Sequence, residues 1–142
     1  MATHSMLSDW LLAMKLAEKL YDRSRWSKAL YLYLKASYML EIVAEQQRQP
    51  GRTPDMEMIK AMQAKVSEMM HEIPALRQRI AGKSVPIEKF AAAKAIRYAK
   101  TGYICLPGVE MILLLNWTRI INADKVSAFV SSLEMLFYYC IQ

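Results

Sequence analysis

The chain has 142 residues, 54% of them hydrophobic and 23% charged, with a formal net charge of +6. That length suits one compact domain or a few repeats, and the apolar fraction excludes a disordered chain. Four Gly and five Pro exclude collagen-like or low-complexity sequence, and two cysteines, Cys105 and Cys140, make neither a disulfide framework nor a metal cluster.

The N-terminal stretch lacks a basic head, and Asp9, Lys15, Glu18 and Lys19 interrupt its apolar residues. It does not read as a secretory signal, so the expected compartment is intracellular, with both thiols reduced. Ser8 is placed as the N-cap of a first helix, with Asp9 in its first turn. Leu12, Leu16, Ala17 and Leu20 recur at helical spacing along it. Tyr21 to Arg25 reads as a polar turn. A second helix is expected from Trp26 to about Gln47, with Ala29, Tyr33, Ala36 and Leu40 on one face. Gln46 to Asp55 holds two Pro, one Gly and no apolar residue, which marks a loop.

A third helix is expected from Pro54 or Asp55 to His71 or Glu72, with Met58, Met62, Val66 and Met69 as its amphipathic stripe. Pro74 has no N–H to give and forces a kink or break. A short helix from Ala75 to Ile80 then ends at Gly82. Pro86 opens the next helix, with Glu88 in its first turn, and Gly102 ends it after about Lys100. Pro107 opens another through about Ile121, and Asn122 or Asp124 caps a last one. No alternation of apolar and polar residues is long enough for a strand. The expected class is therefore all-α, in successive antiparallel helical hairpins.

Met111 to Leu115 and Val126 to Ile141 are strongly apolar. The first run is cut by Asn116 and Arg119, and the second is short and carries Glu134, so neither suits a spanning helix. Buried core helices are the reading, with a membrane-inserted or lipid-resting C-terminus as the alternative. Asn116-Trp117-Thr118 matches a glycosylation acceptor, treated as chance without a signal peptide. Val126, Phe129, Val130, Leu133, Leu136, Phe137 and Tyr138 leave the last helix apolar on more than one side, which suggests partial packing or self-association.

The first two helices fit a tetratricopeptide-type pair. Such repeats need small residues where helices cross and large ones beside them. The candidate packing residues are Leu16, Ala17 and Leu20 on the first helix, Trp26 at the turn, and Ala29, Tyr33 and Ala36 on the second. Ala13 stands where an aromatic is usual, and an ordinary helical hairpin would show similar spacing.

Trp26-Ser27-Lys28-Ala29, Ile73-Pro74-Ala75-Leu76, Ile80-Ala81-Gly82-Lys83-Ser84 and Pro86-Ile87-Glu88-Lys89-Phe90 carry a wider resemblance, completed by Lys94, Arg97-Tyr98, Leu106-Pro107 and Glu110-Met111. Over residues 10–116 the chain resembles the tetratricopeptide repeat protein 39 family, related to the fungal inclusion-body-clearance protein. The resemblance implies a partial α-solenoid spanning 1–142 as one helical-repeat domain. Within it lie a repeat-like helix pair at 8–49, helices with a basic segment at 54–101, and apolar helices at 107–142. It also implies a protein-binding scaffold or adaptor without enzyme activity, and the residues themselves suggest no cofactor and no metal. From about residue 117 the likeness lapses, which suggests a truncated or alternative C-terminus of a longer protein. The implied location is cytoplasmic, including the mitochondrial outer membrane, with protein partners that the resemblance does not identify.

Charge is unevenly placed. Arg77, Arg79, Lys83, Lys89, Lys94, Arg97 and Lys100 stand against Glu88 alone, so this segment carries the whole net charge. The helical turn angle puts Lys89, Arg97 and Lys100 on one side of the helix after Pro86, and Ile87, Ala91, Ala95, Tyr98 and Ala99 on the other. A solvated face is one reading. A surface for an acidic protein segment or an anionic membrane is the other. Nucleic acid is not expected, since no recognition motif is present and aromatic interleaving stops at Phe90 and Tyr98.

The stretch ending Gly82-Lys83-Ser84 lacks the earlier Gly of a phosphate-binding loop, since Arg77 stands there. His4 and His71 are far apart and have no ligand at zinc spacing. Cys105 reads as a core thiol, and the Met row as core filler or an adaptable binding face.

Overall fold

The computed structural model describes residues 9–48, 53, 55–80, 82–104 and 107–115. The first helix, α1 (Trp10–Arg23), starts one residue later than the sequence suggests. Asp9 is its N-cap: Oδ1 accepts the Leu12 N–H at 3.2 Å, satisfying a donor that has no partner within the helix. Ser8 lies outside the described residues. At the other end Ser24 turns extended and donates its N–H to the Leu20 carbonyl.

The second helix, α2 (Lys28–Arg48), begins after Ser27, a non-glycine residue in the left-handed region at φ 55. Three pairings fix its direction. Lys28 Nζ donates to the Tyr21 carbonyl at 2.5 Å, Lys35 pairs with Glu18 at 2.6 Å, and Trp10 stacks on Tyr38 at 5.9 Å between ring centroids. The partners step back along α1 as they advance along α2, so the two helices are antiparallel. α1 buries Trp10, Ala13 and Ala17. α2 buries residues almost all round, among them Ala29, Leu32, Tyr33, Leu34, Ala36, Tyr38, Met39 and Val43. A helix buried on every side must be the centre of the fold, and every other helix packs on this one. Its Ser37 hydroxyl is spared an unpaired burial by donating back to the Tyr33 carbonyl at 2.7 Å.

The third helix, α3 (Met56–Glu72), is capped by Asp55, whose Oδ1 accepts the Glu57 and Met58 N–H groups. Ile59, Val66, Met70 and, just past the end, Ile73 form its buried line, with Met62 and Met69 partly covered beside them. The stripe thus sits one residue round from the Met58, Met62, Val66, Met69 spacing, and the Met row is largely core. The Tyr21 hydroxyl donates to Glu72 Oε1 at 3.1 Å, bringing the C-terminal ends of α1 and α3 together.

Pro74 does not break the chain direction at once. The helix tightens into a 3₁₀ turn over Ile73–Leu76. The expected helix from Ala75 to Ile80 is absent. Arg77 is extended, and a two-residue strand β1 (Arg79–Ile80) pairs antiparallel with β2 (Lys83–Ser84), with Arg79 opposite Ser84 and Ile80 opposite Lys83. Gly82, at φ 77, makes the reversal. A two-residue connection suits a hairpin with a glycine of positive φ, so this glycine turns a hairpin rather than stopping a helix. The pair is too short to alter the all-α class.

The fourth helix, α4 (Pro86–Thr101), has Pro86 at its first position and Gly102 at φ 69 as its C-cap, donating to the Tyr98 carbonyl at 2.7 Å. It buries Glu88, Ala91, Ala92, Ala95 and Tyr98. Phe90 meets the edge of Tyr33 at 6.2 Å. The fifth helix, α5 (Pro107–Leu114), lands on α2, with Met111 and Ile112 buried. The helices expected beyond residue 115, with Cys140 and the acceptor triplet, lie outside the described residues, as does Cys105.

Candidate functional site

Four of the seven candidate packing residues, Ala17, Ala29, Tyr33 and Ala36, are completely buried, and Leu16 is half-buried. Small side chains at these points let the α1 and α2 backbones approach closely, as a solenoid pair requires. Two residues depart from the expectation. Leu20 is 36% exposed, although the helical turn angle puts it beside Ala13 and Ala17 on the buried side of α1. Trp26 is 66% exposed. It lies on the α1–α2 turn, not in the helix: its N–H donates to Ser24 Oγ at 3.1 Å, and Ser24 Oγ donates back to its carbonyl at 2.9 Å.

Burial holds the Tyr33 hydroxyl well above its ordinary ionisation range, and the nearby Glu110 charge adds to the effect. Its oxygen has no hydrogen-bond partner among the described residues.

The basic residues divide. Lys89, Arg97 and Lys100 lie exposed on the outward side of α4, with Ala93 and the half-open Ile96 between them. This row runs about 16 Å along the helix. Arg77, Arg79 and Lys83 are exposed on the 3₁₀ exit and the hairpin just before it. Lys94 stands apart from this row and is half-buried. Its ammonium pairs with Glu110 at 2.5 Å and lies 5.4 Å from the centre of the Phe90 ring, tying α4 to α5. Its angle on the helix differs from that of Lys89 and Lys100, and it points toward the neighbouring helix. Of the apolar side named in the sequence, Ala91, Ala95 and Tyr98 are buried, Ile87 is half-buried and Ala99 is exposed.

A buried carboxylate holds the hairpin in place. Glu88 is wholly enclosed, and its Oε2 accepts the Gln78 N–H at 2.7 Å. Gln78 in turn donates its side-chain Nε2 to the Arg25 carbonyl at 3.0 Å. One residue therefore links the start of the hairpin, the first turn of α4 and the α1–α2 turn. The sequence suggested only a dipole role for Glu88. Its pairing to a residue ten positions earlier has no local signal.

A second enclosed carboxylate does similar work at the next joint. Glu41 Oε1 accepts the Gly108 N–H at 3.1 Å. A Cβ built on Gly108 would stand 2.8 Å from Glu41 Cγ and 3.2 Å from Trp10 Cζ3. Close approach, not backbone angle, demands the glycine. The Pro107-Gly108 pair was legible only as a helix start.

Among the described residues no group of His, Cys, Asp and Glu is placed to hold a metal ion. No helix among them is long and apolar enough to cross a membrane.

The model of the Iml2/Tetratricopeptide repeat protein 39 family matches residues 1–141. That match continues past Asn116, through the stretch where the residue-level likeness lapsed. The tetratricopeptide repeat protein ttc-39B of Caenorhabditis elegans is 30% identical over 133 residues, covering 92% of this chain and 21% of that protein. The chain thus spans about a fifth of the length of that curated relative. No solved structure matches. The alanine-lined antiparallel pair, the hairpin over Ile80–Ser84 and the proline-started helix that follows lie within the matched stretch, and the chain belongs to the Iml2/Tetratricopeptide repeat protein 39 family.

Proposed function

We propose that the chain acts as a non-enzymatic protein-binding scaffold, one part of a longer array of helical pairs. The observation that carries this reading is the packing of α1 against α2 through fully buried alanines, with the cationic row of α4 left outward. Helical arrays of this kind bind through surfaces assembled from successive helices, and their chemistry lies in shape and charge rather than in a reactive group. The row Lys89, Ile96, Arg97 and Lys100 offers cations around a small apolar centre, which suits a protein surface rich in carboxylates.

Replacing Ile96 with a photo-crosslinking amino acid in the full chain tests the reading. Protein adducts that disappear when Lys89, Arg97 and Lys100 are all changed to Glu are the expected result. Absence of protein adducts from Ile96, Trp26 and Leu12 alike would refute the scaffold role.

A further inference from the structure

Trp26 is 66% exposed, yet its turn is not loose. The Ser24 hydroxyl closes the turn from both sides, and the Gln78 side chain fixes the carbonyl just before Trp26. The same Gln78 begins the run into the hairpin, where Ile80 is 54% exposed. In sequence Arg25 adjoins Trp26, Arg77 and Arg79 lead up to Ile80, and Lys83 is the partner of Ile80 across the hairpin; all four are exposed and without an ion pair among the described residues. Two segments more than fifty residues apart in sequence thus present one cationic, aromatic-bearing end of the molecule.

We infer that the α1–α2 turn and the β1–β2 hairpin together form a docking point for an acidic protein segment carrying one large apolar side chain between carboxylates. The inference rests on the scaffold reading and adds to it the partner's chemistry and the place it touches. Trp and Arg dominate the energetics of protein interfaces. Guanidinium forks match carboxylates in a two-point fit that a lysine does not give. Three of the four cations are Arg. The turn is already held in shape by its own hydrogen bonds, so little ordering remains to be lost on binding. A bilayer surface would gain little here, because membrane binding scales with inserted apolar area, and this end offers one Trp and one Ile on short connections rather than an apolar helix face.

The test uses the full chain and a fluorescein-labelled synthetic peptide with one Leu flanked on both sides by Glu, read by fluorescence anisotropy. Binding is expected, weakened about tenfold or more by Trp26→Ala and similarly by Arg25→Glu with Arg79→Glu. Lys60→Glu, an exposed residue on α3, is expected to leave it unchanged. Circular dichroism melts of each variant, expected to match the parent, show that the fold is intact. Equal binding by the parent and the Trp26→Ala chain would overturn the inference. So would failure of the peptide to bind while phosphatidylserine vesicles sediment the parent but not the variants, which would mark the patch as a membrane contact. Either failure leaves the cross-linking at Ile96 to decide the scaffold reading separately.

Discussion

Gly108→Ala is a demanding probe of the fold, because three helices meet at that residue. The added methyl would sit 2.8 Å from Glu41 Cγ, 3.2 Å from Glu41 Oε1 and 3.2 Å from Trp10 Cζ3. Non-bonded carbons settle near 3.5–4.0 Å, so the first contact is short by about 1 Å. Glu41 has nowhere to retreat, being 2% exposed, and moving it lengthens its bond to the Gly108 N–H. Trp10 is held by its stack on Tyr38. Overpacking costs about 1–3 kcal/mol, and a weakened hydrogen bond to a carboxylate belongs to the same event rather than adding in full. Alanine returns up to about 1 kcal/mol as the better helix former. The net expectation is a loss of about 1–2 kcal/mol. Urea unfolding should show it as a lower midpoint with an unchanged slope. In a Glu41→Ala background the two Glu41 contacts are gone and only the one to Trp10 remains, so Gly108→Ala should cost clearly less than in the parent. An equal midpoint shift in both backgrounds would refute the close-approach account.

Glu88→Ala strands the Gln78 N–H in a partly buried site and should cost about 1–3 kcal/mol; faster exchange of that amide hydrogen, with α1 amides unchanged, locates the damage at the hairpin. Ala36→Leu should lower the unfolding midpoint by about 1–3 kcal/mol through overpacking, whereas Trp26→Ala should move it by no more than about 0.5 kcal/mol. Equal effects from the two would mean that Trp26 packs after all. Tyr33 ionises less readily folded than unfolded, so its contribution is intact below the unfolded value and is lost as pH rises above about 10. Tyr33→Phe should therefore flatten the fall of melting temperature between pH 10 and 11, and an identical fall in both chains would dismiss the buried hydroxyl as its cause.

The long helices were readable because their signals are local. Asp55 caps α3 through its own next turn, Pro86 and Gly102 bracket α4, and Ala29, Tyr33 and Ala36 repeat at helical spacing. The boundaries slipped where two local signals competed, as with Ser8 and Asp9 at the head of α1. The joints were not readable. Gly82 carries the same letter whether it stops a helix or turns a hairpin, and what decides is the partner strand across from it. Lys94 looks like its fellow cations until α5 brings Glu110 beside it. Trp26 reads as core by composition alone, because nothing in its neighbourhood reports that the chain makes a left-handed step at Ser27.

Those joints matter more to binding than their modest size suggests. Glu88 and Glu41 are buried carboxylates that each accept a backbone amide, at points where one helix hands over to the next. An amide fixes the position of a chain segment, not just of a side chain, so each bond sets the register of the helix that follows. Glu88 places α4 against the hairpin and, through Gln78, against the turn that bears Trp26. Glu41 places α5 against α2, and the Lys94–Glu110 pair then ties α5 to α4, whose outward side carries Lys89, Arg97 and Lys100. A surface made from a turn, a hairpin and a helix face exists only while those three keep their spacing. Changing Glu88 to Ala should therefore weaken binding at the Trp26 end while touching no residue that a partner contacts. A Glu88→Gln chain, which keeps an oxygen to accept the Gln78 amide, should bind the acidic peptide nearly as the parent does. Equal loss in both variants would refute the grip of Glu88 on the backbone as the cause.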